Sequence, residues 1–171
     1  MHAMQLRDDH HLLGGLVQID DAYLGCELRG GKAGRGSENK VLFVAAVECN
    51  EKRRPIRMRM SRVSRFTTRA ISSWVQNHVA AGTTVITDGL ACFAGVTEAG
   101  CKHFSKIAEG RKPKELPLFQ WLNTILGNVK TGIDGAYHAF LFSKHKNRYL
   151  AEISYRFDRR FNLKTFISGS R

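Results

Sequence analysis

Cysteine is scarce in this chain and badly spaced for a metal ribbon. Cys26, Cys49, Cys92 and Cys101 stand far apart, and no CxxC pair occurs. The paired-thiolate spacing of a zinc ribbon is therefore missing. The same irregular spacing points to reduced cytosolic thiols rather than a disulfide framework. Long apolar runs are absent too. No stretch approaches the ~20 residues needed to cross a bilayer, which argues against a membrane partner. The first fifteen residues hold His2, Arg7, Asp8, Asp9, His10 and His11, and they lack the continuous apolar segment of a secretory signal. Acidic residues are the third shortage. Asp and Glu number 15 against 27 Lys and Arg, a formal net charge of +12. So large a surplus suits a polyanion, because cationic side chains displace the counterions condensed on DNA or RNA. A merely basic protein has the same composition, so the charge needs support from motifs. The glycine-rich stretch 30–37 (GGKAGRGS) has no Gly-Lys-Ser/Thr at P-loop spacing, which excludes that phosphate cradle. It reads as a flexible basic loop carrying Lys32 and Arg35.

What is present suits one domain. A length of 171 residues can bury a single core, and no internal repeat or linker divides it. Residues 17–24 (VQIDDAYL), 40–49 (KVLFVAAVEC) and 55–60 (PIRMRM) read as strands. Together they form an antiparallel meander, with Arg53, Arg57, Arg59 and Arg62 on its exposed side. Residues 67–80 have Ile71, Trp74, Val75, His78 and Val79 at helical spacing, with Thr67 or Thr68 as N-cap and Gly82 as the stop. Residues 83–87 (TTVIT) form a short buried strand with Asp88 at its carboxyl end, where α/β folds place active-site groups. A short strand is expected at 103–107, then a loop carrying Arg111, Lys112 and Lys114, broken by Pro113 and ended by Pro117. Residues 119–131 read as a helix with Trp121, Leu122, Ile125, Leu126 and Val129 as its apolar stripe. Gly127 weakens that helix by roughly 1 kcal/mol relative to Ala. A last helix, 143–161, puts Tyr149, Leu150, Ile153 and Phe157 on one face, with Glu152 between Arg148 and Arg156 at i±4. A three-stranded antiparallel meander followed by αβ units makes an α/β protein: a mixed sheet with flanking helices, compatible with a ribonuclease-H-like fold.

Asp20 and Asp88 each stand in or just after an apolar strand, and Asn123 and Lys130 are seven residues apart on one helix. Seven residues is about two turns, so the pair shares a face. Two strand-borne carboxylates opposite a helix-borne oxygen ligand form the layout of a polynucleotidyl transferase. Such carboxylates suit Mg²⁺, and two divalent ions can stabilise the attacking and leaving oxygens of a phosphodiester. Strand alternation does not choose between Asp20 and Asp21, whose side chains project to opposite faces. Taken singly, each aspartate is an ordinary turn residue, Asn123 a surface amide and Lys130 a surface lysine. His138, just beyond the helix, suits phosphate contact or proton donation, and a structural histidine fits as well. Arg156, Arg159 and Arg160 make a basic face on the last helix.

The motifs QIDDAYLG (18–25), GRGSENK (34–40), TDGL (87–90), WLNTILGNVK (121–130), GAYH (135–138) and YRFDRR (155–160) share one resemblance. Together and in this order they resemble the ISXO-like insertion-sequence transposases of the DDE superfamily, in the branch reading Asp-Asp-Asn-Lys. The resemblance implies a ribonuclease-H-like core that cuts and rejoins double-stranded DNA at transposon ends and in the target. It implies Mg²⁺ or Mn²⁺, as two ions, a homo-oligomer in the synaptic complex, and a bacterial cytoplasm with nucleoid association. Carried over, Asp20, Asp88 and Asn123 are the catalytic metal ligands and Lys130 the catalytic lysine that trails them. Asp21 matches an acidic position outside the ligand set. Lys32, Arg35, Arg111, Lys112, His138, Arg156 and Arg159 are the candidate DNA contacts. Asp158 stands where such sequences commonly have Asn. The expected organisation is an N-terminal remnant without a zinc ribbon (1–16), the catalytic domain (17–163) and an irregular tail (164–171). The alternative expectation is a truncated, inactive DNA-binding remnant.

Overall fold

The computed structural model describes residues 11–24, 41–106, 120–136 and 142–161. Lys32, Arg35, Arg111, Lys112, His138, the first ten residues and the tail from 162 lie outside the described residues. The chain forms β1 (Leu16–Leu24), β2 (Val41–Cys49), β3 (Pro55–Arg62), α1 (Thr68–His78) and β4 (Thr84–Thr87). A 3₁₀ turn, Ala91–Ala94, runs into the short α2 (Gly95–Glu98), followed by β5 (Lys102–Ser105), α3 (Gln120–Ala136) and α4 (Phe142–Asp158).

The five strands lie in the order β3-β2-β1-β4-β5. β1 pairs antiparallel with β2 and β2 with β3, as the expected meander requires, while β4 is parallel to β1 and β5 to β4. This is the mixed ribonuclease-H-like sheet, and it puts β1 at the centre. β2 is buried along nearly its whole length, which explains its unbroken apolar run: both of its faces are covered.

Helices cover the two faces of the sheet. On one, Ala22, Phe43, Ala45, Met58 and Ile86 pack beneath Leu122, Ile125, Leu126 and Val129 of α3 and Leu150 of α4. On the other, Val17, Ile19, Val44 and Val85 meet Ile71, Trp74 and Val75 of α1 and Phe93 and Val96 of the short helical segment. Even-numbered residues of β1 therefore face α3 and odd-numbered ones face α1, as period-two alternation demands.

Several boundaries differ from the sequence pattern. Helix α1 starts as expected, with the Thr67 hydroxyl accepting from the Ala70 N–H. It ends at His78, short of Ala80, because Val79 turns extended and bridges Leu13. The backbone of Leu13 bonds on both sides, to His78 O at 2.8 Å and from Ala80 N at 2.9 Å. Residues Ala91–Glu98 are helical, an element too short for periodicity to reveal. Helix α3 runs through Gly127 and on to Ala136, past Gly132 and Gly135, since its buried stripe outweighs the cost of the glycines.

Arg59 does not lie on an exposed side. It is buried, with its guanidinium 3.3 Å from the Asp158 carboxylate. Asp158 also accepts the Met58 N–H at 2.8 Å. One acidic side chain on α4 thus satisfies both a buried cation and the β3 backbone, a contact that no local pattern encodes.

Candidate active site

β1 and β4 pair in register from Leu16↔Thr84 to Gln18↔Ile86. Continuing that parallel register sets Asp20 beside Asp88, the residue just past the end of β4. Both then face α3, because Gln18, Asp20 and Ala22 share one side of the strand. Beyond Gln18 the register with β4 stops, and the edge of β1 opens. There carboxylates from both faces can meet. Asp20, Asp21 and Asp88 each place a carboxylate oxygen within 4.8 Å of the others. The choice between Asp20 and Asp21 that strand alternation left open is thus met by convergence of both.

The electrostatics of this cluster are unfavourable for three free anions. Burial, and after it the charges of Asp88 and Asp21, push the Asp20 carboxyl up to about 7. The Asp21 N–H, donated to Asp20 Oδ1 at 2.8 Å, and the Lys130 ammonium act in the opposite direction. A positive charge placed among them relieves the repulsion that Asp20 meets from its neighbours. A divalent cation supplies that charge, and the hard-oxygen donor set suits Mg²⁺ or Mn²⁺. The residues present fit such an ion.

Helix α3 brings Lys130 into the field of Asp20. Its buried stripe of Leu122, Ile125, Leu126 and Val129 locks the rotation of the helix against the sheet. Asn123, half-buried, lies two turns earlier on the same side as Lys130. Asp88 is held by its own turn. Leu90 N–H donates to Asp88 Oδ1 at 3.0 Å, and Gly89 takes φ +88, a backbone conformation open to glycine.

A layer behind this turn was not singled out in the sequence. Thr87, fully buried, accepts the Gly89 N–H at 3.3 Å and is hydrogen-bonded to His103 Nε2 at 2.8 Å. With its oxygen accepting from Gly89, the Thr87 hydroxyl is free to donate to Nε2. Burial lowers the His103 pKa, which favours the neutral ring that can accept. No sequence signal pairs Thr87 with His103; only the β4–β5 alignment does.

The arginines of the last helix are elsewhere. α4 packs on β3, two strands from β1, so the structure does not bring Arg156 and Arg159 to the carboxylates. Arg156 is ion-paired with Glu152 at 2.7 Å, as the i,i+4 spacing predicts, and remains largely exposed. The Arg159 guanidinium lies 3.7 Å from the Tyr155 ring centroid. Arg160 stacks on Phe157 and donates to the Phe157 carbonyl at 2.7 Å, closing the C-terminus of α4.

A central strand and its parallel neighbour presenting carboxylates toward one helix define the class: a ribonuclease-H-like α/β domain with an acidic centre. Its family is also established. The ISXO2-like transposase domain matches residues 12–158, and the chain belongs to that family. No curated protein sequence matches it. Solved structures similar to the chain include a pre-cleavage Mos1 transpososome, at 8% identity and TM-score 0.36, covering 99% of this chain and 60% of that one. The Mos1 strand transfer complex is similar at 10% identity and TM-score 0.38, over 99% and 59% of the two chains. The Mos1 transposase paired-end complex with the left transposon end is similar at 10% and 0.31, over 99% and 60%. This chain thus spans about three fifths of those chains. Among the described residues, no helix is long and apolar enough to cross a membrane.

Proposed function

We propose that this transposase domain cuts DNA at the ends of an insertion sequence and joins the freed ends to target DNA. The observation that carries the reading is the convergence of Asp20, Asp21 and Asp88 within 4.8 Å, beside a lysine and in a chain of charge +12. Asp20, Asp88 and Asn123 are the proposed ligands of Mg²⁺ or Mn²⁺. When bound, two such ions neutralise charge on the attacking and leaving oxygens.

In the first step water attacks the phosphodiester at the element's end. The P–O3′ bond breaks, leaving a 5′-phosphate and a 3′-hydroxyl that takes up a proton. In the second step that 3′-hydroxyl attacks a target phosphodiester, forming a new P–O3′ bond and releasing a target 3′-hydroxyl. No covalent bond to the protein forms. The chain's own part is to position the strand and hold charge ready for the transition state. Asp20 and Asp88 supply anionic oxygens, Asn123 a neutral carbonyl oxygen, and Lys130 an ammonium for a phosphate beside the scissile bond. Double-stranded DNA is the partner, and a homo-oligomer that holds two ends is the working form, in the bacterial cytoplasm at the nucleoid. Arg156 and Arg159, with Lys32, Arg35, Arg111, Lys112 and His138, are the proposed contacts to more distant phosphates.

Asp88→Ala is expected to abolish metal-dependent strand transfer while largely keeping DNA affinity. Transfer at the native rate in that variant would overturn the assignment. The amide at position 123 favours one other reading, since it brings neither charge nor a base: a domain that binds DNA without cutting it. Salt-dependent DNA affinity with no Mg²⁺-dependent nicking by the purified chain selects that reading.

A further inference from the structure

The turn that carries Asp88 is held from the far side of the sheet. Thr87 shares the α1 face of β4 with Val85, whereas Asp88 looks toward α3. The Thr87 hydroxyl accepts the Gly89 N–H at 3.3 Å. That N–H belongs to the peptide leaving Asp88, so the bond restrains the ψ torsion of Asp88 itself. The Asp88 carboxylate then accepts the Leu90 N–H at 3.0 Å, which restrains its side chain. Gly89 allows the turn, with φ 88, but a glycine enforces no conformation. Definition of the turn therefore falls to the Thr87 hydroxyl.

β5 holds Thr87 in two ways. Its main chain gives the Lys106 N–H to the Thr87 carbonyl at 2.9 Å. Its side chain His103, opposite Val85 in the parallel register, reaches diagonally to Thr87 and places Nε2 2.8 Å from Oγ1. Little else of β5 enters the fold: Lys102, Phe104 and Ser105 are exposed, and His103 alone is half-buried. The direction of the bond follows from burial. Thr87 is fully buried, and a hydroxyl shut away from water needs an acceptor for its proton. Among the described residues His103 Nε2 is that acceptor. The ring must then be neutral with its proton on Nδ1, and burial, which lowers the His103 pKa, favours that form.

We propose that His103 is a positioning residue for the acidic centre: acting through Thr87, it aims the Asp88 carboxylate at the cation shared with Asp20. The relay runs from the Gly89 N–H to Thr87 Oγ1, and from the Thr87 O–H to His103 Nε2. His103 stands on the α1 side of the sheet, away from the carboxylates, so its effect passes through Thr87 alone. Without the acceptor the Thr87 hydroxyl turns elsewhere, the Gly89 N–H loses its partner, and the glycine relaxes. The carboxylate then samples several directions, and the ion loses a preorganised ligand. This role rests on the reading of Asp88 as a metal ligand.

The test titrates the full chain with Mn²⁺ in the absence of DNA, following free Mn²⁺ by electron paramagnetic resonance. His103→Phe keeps a ring and removes the acceptor, and Thr87→Val keeps the shape and removes the hydroxyl. Each is expected to weaken Mn²⁺ binding about tenfold. His103→Gln, whose carbonyl oxygen can accept, and Thr87→Ser, which keeps the hydroxyl, are expected to restore most of it. The double variant His103→Phe, Thr87→Val is expected to bind no more weakly than either single one, because both break the same relay. Thermal unfolding in EDTA measures the fold by itself. Native Mn²⁺ affinity in folded His103→Phe, or losses that add in the double variant, overturns the relay and leaves His103 a packing residue. Mg²⁺-dependent nicking of DNA is measured separately. A relay seen in Mn²⁺ binding without nicking by the native chain keeps this role and defeats the cutting centre. Nicking, with Mn²⁺ binding indifferent to His103, does the reverse.

Discussion

At the scale of single residues, Asp20 carries the largest electrostatic burden in the described structure. Its carboxyl is raised from 3.8 to about 7, chiefly by burial and then by Asp88 and Asp21. In the unfolded chain Asp20 releases its proton near pH 4, whereas the folded metal-free protein holds it until about pH 7. Stability therefore falls as pH rises through that window, by about 4 kcal/mol in full above pH 7. Below pH 4 both states are protonated and the penalty vanishes. Asp20→Asn is thus expected to stabilise the metal-free chain at pH 8 and to leave it unchanged at pH 4, as read by urea unfolding in EDTA. A variant less stable than the native chain at pH 8 would contradict the clustered-acid picture. Asp20 and Asp88 stood out in the sequence because one lies within a recognisable apolar strand and the other just after one, and the family resemblance chose Asp20 over Asp21. The contribution of Asp21 was not legible, since alternation alone sends it to the other face.

At the scale of elements, the short helical segment after β4 holds α1 against the sheet through one close approach. A Cβ at Gly95 would sit 2.8 Å from Ser72 N and closer still to the Thr68 carbonyl oxygen, all of it rigid backbone. Gly95→Ala therefore forces α1 and α2 apart, with an expected loss of about 1–3 kcal/mol. Chemical denaturation measures it, and an unchanged midpoint would mean that the two helices slide freely. The reason Gly95 matters could not be read from the chain, because the contact spans elements and the helix is a single turn. α3 shows the opposite case. Its stripe of Trp121, Leu122, Ile125, Leu126 and Val129 was plain in the sequence; the last four are buried and Trp121 is partly buried against the same core. That periodicity sets the register linking Asn123 and Lys130.

At the scale of the whole molecule, a net charge of +12 sets the binding physics. The logarithm of DNA affinity should fall linearly with the logarithm of salt concentration, with a slope near 0.9 per phosphate neutralised. Arg156→Gln and Arg159→Gln are each expected to lower that slope by about 1, measured by titrating duplex DNA at several salt concentrations. A slope left unchanged returns that arginine to its local partner, Glu152 or Tyr155. Charge was the plainest property of the sequence, but where it concentrates was not. Arg59, expected on the open side, is spent on Asp158 inside the fold.

The sequence by itself determined the strands, the principal helices, the excess of positive charge and the motif order of the family, because each depends on residues near one another in the chain. Only the tertiary structure decided that three carboxylates meet where the β1–β4 pairing stops, and that Thr87 and His103 brace the Asp88 turn. Those juxtapositions join segments far apart in the chain, and they exist only once parallel strand pairing and helix packing bring them together.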